Sequence, residues 1–304
     1  MTHEECETYI NKKEQDVTDF MPWNSQPLGV WAEKYAEGKF IGLEGRRTHF
    51  IDTGSGSPVL LVHGFFFDSF TWHNNIEALA DNFRVLAPDM WGFGYSTREL
   101  LDYGYPLYAK QLLLFLDSLH IEKASIVGHS MGGGTGIYFA VHHPDRVNKL
   151  LLVGAAGMPN PLSLFGKLAN LPLVGELMYG MKGNFMRRMA LKTNWFYDES
   201  FITDSYFENA TRFHKVKGST DVMLTILRKQ FFHTLPDEVR ALGELNIPTL
   251  IVWGRHDTAV PLARGREMHA LLKESRLEVF DNVSHCPHDE AFARFNQIAV
   301  EFLS

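Results

Sequence analysis

Six short apolar runs, each followed at a distance by a helical period, constrain the fold of this chain more than any other feature. They are Val59–His63, Arg84–Pro88, Ala124–Gly128, Lys149–Val153, Pro248–Trp253 and Arg276–Phe280. Most are apolar on successive residues instead of every second one, the pattern of strands buried on both faces. Between and after them, helical spacing runs over Thr71–Asp81, Tyr108–Leu119, Met131–His142, Pro261–Lys273 and Pro287–Leu303. Strand and helix in alternation predict an α/β fold, a mostly parallel sheet flanked by helices. In such a sheet, functional residues gather in the loops leaving the strands' carboxyl ends. Ahead of these runs, Phe40–Leu43 and Arg47–Asp52 predict an antiparallel pair that turns at Glu44-Gly45.

Two regions depart from the alternation. Residues 1–38 are polar with scattered aromatics (Phe20, Trp23, Trp31, Tyr35) and read as an N-terminal arm with a short helix at Leu28–Glu37. From about Met158 to Leu235 there is no buried-strand run, while Met, Phe and Leu are dense. Leu162–Met189 reads as helices punctuated by Pro172, Gly175, Gly180 and Gly183. We read 158–235 as a helical cap placed over the strand ends, inserted between core segments 39–157 and 236–304.

The formal net charge of −7 and the lack of a long Lys/Arg run argue against nucleic-acid binding. Two cysteines, Cys6 and Cys286, exclude a disulfide scaffold and a four-thiolate zinc site. No apolar run reaches the roughly 18 residues of a membrane span. The acidic start of the chain lacks the apolar region of a signal peptide, so the expected location is cytoplasmic, with reduced thiols.

The strongest chemical signal is Gly128-His129-Ser130-Met131-Gly132, a G-x-S-x-G between a predicted strand and a predicted helix. That context marks a nucleophile elbow, in which the glycines permit the sharp turn that exposes Ser130. A serine nucleophile needs a base, and the base needs an orienting acid. Asp257 follows the strand run Pro248–Trp253, and His285 follows the next strand, Arg276–Phe280. One helix and one strand between them return the chain to the same sheet edge. The loop after Lys149–Val153 holds no carboxylate, and Asp89 reads as a loop anchor.

With these pieces in place, residues 39–304 resemble an α/β-hydrolase fold serine hydrolase. The matching segments are His63-Gly64-Phe65, Asp89 to Ser96, Gly128 to Gly133, Trp253 to Asp257 and His285 to Glu290. The last is similar to the family's His-x-Pro-x-x-Glu ending, whose first histidine is the base. The resemblance implies Ser130, Asp257 and His285 as catalytic residues. It also implies an oxyanion hole from the backbone N–H groups of Phe65 and Met131, whose side chains would shape the acyl pocket. His129, beside the serine on a strand, points to the opposite face and reads as structural. His256 reads as a loop residue and His288 as part of the closing helix, whose first turn would favour Asp289 and Glu290. His285 and His288 lack the further ligands of a zinc site, so neither metal nor cofactor is expected.

Ser130 argues against the haloalkane dehalogenases and epoxide hydrolases of this fold, which carry Asp at that position. Carbon–carbon bond hydrolases of ring-cleavage products usually carry a glycine-rich oxyanion loop, Asn before the serine and Trp after the histidine. Here these are Phe65-Phe66-Phe67, His129 and Cys286. The expected activity is therefore hydrolysis of small to medium apolar acyl or aryl esters. Carbon–carbon or lactone hydrolysis by the same residues, and a non-catalytic binding protein, are the alternatives. Lys182, Arg187, Arg188 and Lys192 read as a solvated cap face, with a lipid surface as the alternative. A small-molecule ester is the expected partner.

Overall fold

A computed structural model describes residues 21–161, 167–168, 170–180 and 184–304. Part of the expected cap helices in Leu162–Met189, with Lys182, and Cys6 of the arm lie outside the described residues. Among the described residues, eight strands form one sheet: β1 (Lys39–Leu43), β2 (Arg46–Thr53), β3 (Pro58–Val62), β4 (Arg84–Pro88), β5 (Ala124–His129), β6 (Val147–Val153), β7 (Thr249–Gly254) and β8 (Arg276–Phe280). Their spatial order is β1-β2-β4-β3-β5-β6-β7-β8. β2 pairs antiparallel with both β1 and β4, and the other neighbours are parallel. The chain leaves β3 toward β4 on one side and returns to β5 on the other. The loops after β3 and β5 therefore part at a topological switch point, where open α/β sheets hold their ligands.

Both sheet faces are covered, which is why the strand runs are continuously apolar. Leu60, Val62 and Leu86 face a core shared with Tyr108, Leu112 and Phe115 of helix Tyr105–Ser118. Their strand neighbours Val59, Leu61, Val85 and Ala87 face the other core, with Trp72, Leu79, Phe295 and Ala299. The period-two alternation of the strands splits one apolar run between two layers.

Two predicted helices are interrupted. Thr71–Asp81 is a 3₁₀ turn, Ser69–Trp72, followed by the short helix Ile76–Ala80. The Asp68 side chain caps the turn at Phe70 N, and buried Asn75 donates to His288 O (2.8 Å) and Asn296 Oδ1 (2.7 Å). Pro287–Leu303 is likewise a four-residue turn, Pro287–Glu290, and the helix Phe292–Leu303, parted at Ala291 (φ −124°, ψ 41°). Pro287, His288 and Asp289 are all buried. Three consecutive residues span more of a helix than the one stripe a surface helix can bury.

The described part of the arm is docked. Asn24 N and Gln26 N donate to His214 O (3.0 Å) and Lys215 O (2.8 Å), and Lys217 N donates back to Gln26 O (2.8 Å). Trp31, in helix Leu28–Tyr35, donates its ring N–H to Arg212 O (3.0 Å) and packs with Tyr95 and Val216. Residues 21–36 thus lie along residues 207–220, which belong to the stretch read as a cap. Among the described residues, no helix is long and apolar enough to cross a membrane.

Candidate active site

β5 ends at His129 and helix Met131–His142 starts two residues on; between them Ser130 has a backbone (φ 51°, ψ −115°) in a region that side chains rarely adopt. Such strain costs of order 1–3 kcal/mol and persists only when the surroundings over-determine it. Here Ser130 N donates to Val153 O (2.9 Å), while Ser130 O accepts from Ala156 N (2.9 Å) and Gly134 N (3.1 Å). The flanking glycines are required by close approach. A Cβ on Gly128 would lie 2.5 Å from Gly132 O, and one on Gly132 would overlap Val62 O and sit 2.6 Å from His63 O. Ser130 itself is only partly buried, between fully buried neighbours.

His285 Nδ1 lies 2.7 Å from Asp257 Oδ2, with both side chains almost wholly buried. An ionised carboxylate only accepts, so Nδ1 carries the proton and Nε2 of the neutral ring is left to accept one. Asp257 Oδ1 accepts from Ala259 N (2.9 Å) and Val260 N (2.7 Å), which holds the carboxylate in orientation. Gly154, at φ 49°, brings the end of β6 against this pair, where a Cβ would stand 3.2 Å from His285 Nδ1. The main chain of His285 is pinned at both ends: its N–H donates to Trp195 O (3.1 Å), and its carbonyl accepts from His129 Nε2 (3.0 Å).

That last bond puts the His129 proton on Nε2. Burial first, then the neighbouring histidines, push its pKa well below the usual range, so the ring is neutral. The His288 ring lies against both His129 (centroids 4.6 Å) and Trp72 (4.5 Å), with Nε2 3.0 Å from Thr71 Oγ1. Burial holds it neutral too. The Cys286 thiol is fully buried and pushed up well above its ordinary value. A thiol held protonated in this way is a poor nucleophile.

The loop after β3 passes directly over the serine. A Cβ on Gly64 would sit 3.0 Å from Ser130 Cβ and 2.9 Å from His129 Nδ1. His63, fully buried and held neutral by burial, donates from Nδ1 to Gly64 O (2.8 Å) and accepts Met90 N at Nε2 (2.9 Å). Phe66 takes a left-handed backbone (φ 70°). That turn spreads three successive aromatic rings. Phe65 meets Phe93 and Phe232, Phe66 stacks on His214 and meets Trp195, and Phe67 meets Trp195 and His129. Met131 is completely buried and Phe65 partly so.

Residues 57–189 match the family profile of the alpha/beta hydrolase fold. A 2-hydroxymuconate semialdehyde hydrolase of a Pseudomonas species is 30% identical over 277 residues, 88% of this chain and 94% of that one. The chain belongs to the α/β-hydrolase fold family. Among solved structures, a meta-cleavage product hydrolase of Pseudomonas fluorescens resembles this α/β hydrolase at 31% identity and a TM-score of 0.77. The likeness covers 87% of this chain and 97% of that one. A thermophilic esterase from Thermogutta terrifontis is similar at 26% identity and a TM-score of 0.74, over 88% and 98% of the two chains.

In this hydrolase, Asp89 anchors the loop after β4. Oδ2 meets His49 Nδ1 (2.7 Å) and Tyr95 N (2.7 Å), and Oδ1 accepts Ser69 N (2.8 Å). Trp195, His214 and Phe232, from the segment between β6 and β7, pack on the three rings of the loop after β3, and sequence reasoning singled out none of them. The signal available was the aromatic density of that segment, which does not say which rings meet the loop after β3. Asp289 and Glu290 stand in the first turn after Pro287, as expected, but that turn ends at Glu290 and does not continue into the helix Phe292–Leu303. Asp289 has side-chain partners as well, accepting from Asn74 Nδ2 (2.8 Å) and Tyr206 OH (2.7 Å).

Proposed function

We propose that Ser130, Asp257 and His285 are the catalytic residues of a serine esterase acting on neutral, apolar acyl or aryl esters. Ser130 Oγ attacks the ester carbonyl as His285 Nε2 takes its proton, and Asp257 holds the imidazole in the required tautomer and stabilises the imidazolium. The oxyanion is received by the N–H groups of Phe65 and Met131, each worth about 10²–10³ in rate. His285 then protonates the leaving alkoxide, and water resolves the acyl-enzyme by the same path. Residues 158–235 act as a cap over the core segments 39–157 and 236–304, and residues 21–36 of the arm brace that cap.

One observation carries the ester reading: the loop over the serine presents Phe65, Phe66 and Phe67 to further aromatic rings, a wall suited to uncharged groups. A substrate carboxylate buried against such rings would lose hydration without compensation. The second reading is carbon–carbon bond hydrolysis of ring-cleavage products, favoured by the names of the relatives at 30–31% identity. His129 and Cys286, where those enzymes usually carry Asn and Trp, weigh against it.

The test is a comparison of purified protein on p-nitrophenyl esters of graded acyl length and on a ring-fission dienone. Ester turnover with a kcat/KM well above that for the dienone is expected, and the reverse order would overturn the ester reading. Labelling of Ser130 by a fluorophosphonate probe is expected in either case, and its absence from folded protein would refute the nucleophile.

A further inference from the structure

Glu290 closes the turn after His285, and the chemistry proposed above gives it no task. Its Oε2 accepts from Ser284 N (2.7 Å), the residue before the base. Its Oε1 accepts from Tyr197 N (2.6 Å) and Asp198 N (3.1 Å), in the segment that begins at Trp195. One carboxylate therefore joins the base's own loop to the inserted segment. The joint is reinforced from both sides: His285 N donates to Trp195 O (3.1 Å), and Tyr206 OH donates to Asp289 (2.7 Å). The Tyr197 ring lies on His256, next to Asp257, with centroids 4.6 Å apart. Trp195 in turn packs on Phe66 and Phe67 of the loop over the serine.

We propose that Glu290 is a positioning residue that sets the register between the cap and the loop carrying His285, so that the aromatic wall and the base are placed by one joint. Displacement of the cap by an acyl group too large for it is then transmitted to the base. Acyl length should consequently act on kcat as well as on KM. This inference rests on His285 being the base.

The experiment compares wild type with Glu290→Ala and Glu290→Gln, the latter keeping one carbonyl acceptor. Rates are expressed per site labelled by fluorophosphonate, so that unfolded protein is not counted. In Glu290→Ala, amide exchange should quicken together at Tyr197, Asp198 and Ser284. Its kcat per labelled site should fall about ten- to a hundred-fold, the scale on which loss of charge-assisted hydrogen bonds is felt. The loss should be steepest for the longest acyl chain, and Glu290→Gln should fall between the two. If Glu290→Ala does not fold, Glu290→Gln carries the same readouts. A lowered melting temperature with kcat per labelled site unchanged, or faster exchange in only one of the two segments, would overturn the proposal. Failure of the underlying reading looks different: wild type would not label, or His285→Ala would remain fully active.

Discussion

Asp257→Asn is nearly isosteric, yet it should be among the most damaging single changes, and the structure says why. Asp257 Oδ1 accepts two main-chain N–H groups, from Ala259 and Val260, while Oδ2 takes His285 Nδ1. An asparagine has one acceptor oxygen for these two duties. If the oxygen stays with the two N–H groups, the amide NH₂ faces His285 Nδ1 and forces the proton onto Nε2, and the base can no longer accept from Ser130. The opposite rotamer restores the tautomer but leaves two buried N–H donors facing an NH₂ group. At about 1–3 kcal/mol for each unsatisfied buried donor, that rotamer lies about 2–6 kcal/mol higher. The productive population then falls about 30-fold to about 10⁴-fold, at 1.36 kcal/mol per decade. The assay is steady-state ester hydrolysis per fluorophosphonate-competent site, with a thermal melt as control. The melt should move little, because the favoured rotamer keeps the Ala259 and Val260 bonds. A kcat loss below about tenfold, or a large fall in melting temperature that accounts for the loss, would refute the reasoning.

Further outcomes follow from the geometry. His285→Ala should cost at least about 10³ in kcat. His288→Ala should stay within about tenfold while losing about 1–3 kcal/mol of stability through Thr71, and equal kinetic losses would sink the assignment of the base. Gly132→Ala should destabilise by about 3 kcal/mol or more, because its Cβ would overlap the Val62 carbonyl, and a denaturation midpoint reads this directly. Trp23→Ala should cost about 3 kcal/mol, since its ring is buried against Phe207 and under Arg187; faster amide exchange at Asn24, Ser25, Gln26 and Lys217 would locate the loss in the arm. His49 should give a pH signature. Burial opposes its charge, but the Asp89 carboxylate and the Glu37 carbonyl outweigh it and raise its pKa. Its stabilisation is complete below the unfolded value of about 6.5 and is lost as pH rises through the higher folded value. Urea midpoints should therefore decline as pH rises above neutrality, and His49→Gln should flatten that decline.

The strand runs Arg84–Pro88 and Arg276–Phe280 and the helix Met131–His142 have the bounds their residues imply. Strand burial and helix periodicity are local properties, written in consecutive side chains. The elbow is legible for the same reason: Gly128, Ser130 and Gly132 stand within one turn, and the steric demand on each glycine comes from that turn and the adjoining strand. The order Ser130, Asp257, His285 could be read because each residue follows a recognisable strand. Closing the Asp257–His285 pair, however, took the loops that only packing places.

What the sequence could not settle are interactions whose partners lie far apart along the chain. Pro287–Leu303 has helical spacing throughout, yet burial of His288 against Trp72 and capture of Asp289 by Tyr206 break it at Ala291. Trp23 and Trp31 look like strays in a polar arm, because nothing local names Phe207 or Arg212 as their partners. Glu290 suits a helix start equally well, and only the fold brings Ser284, Tyr197 and Asp198 to its two oxygens. By itself, the sequence determined the sheet, the elbow and the types of residue available for chemistry, since these depend on neighbours in the chain. Tertiary structure alone decided which rings surround the loop after β3 and what fastens the segment between β6 and β7 to the loop of His285, because those contacts exist only once distant segments are packed together.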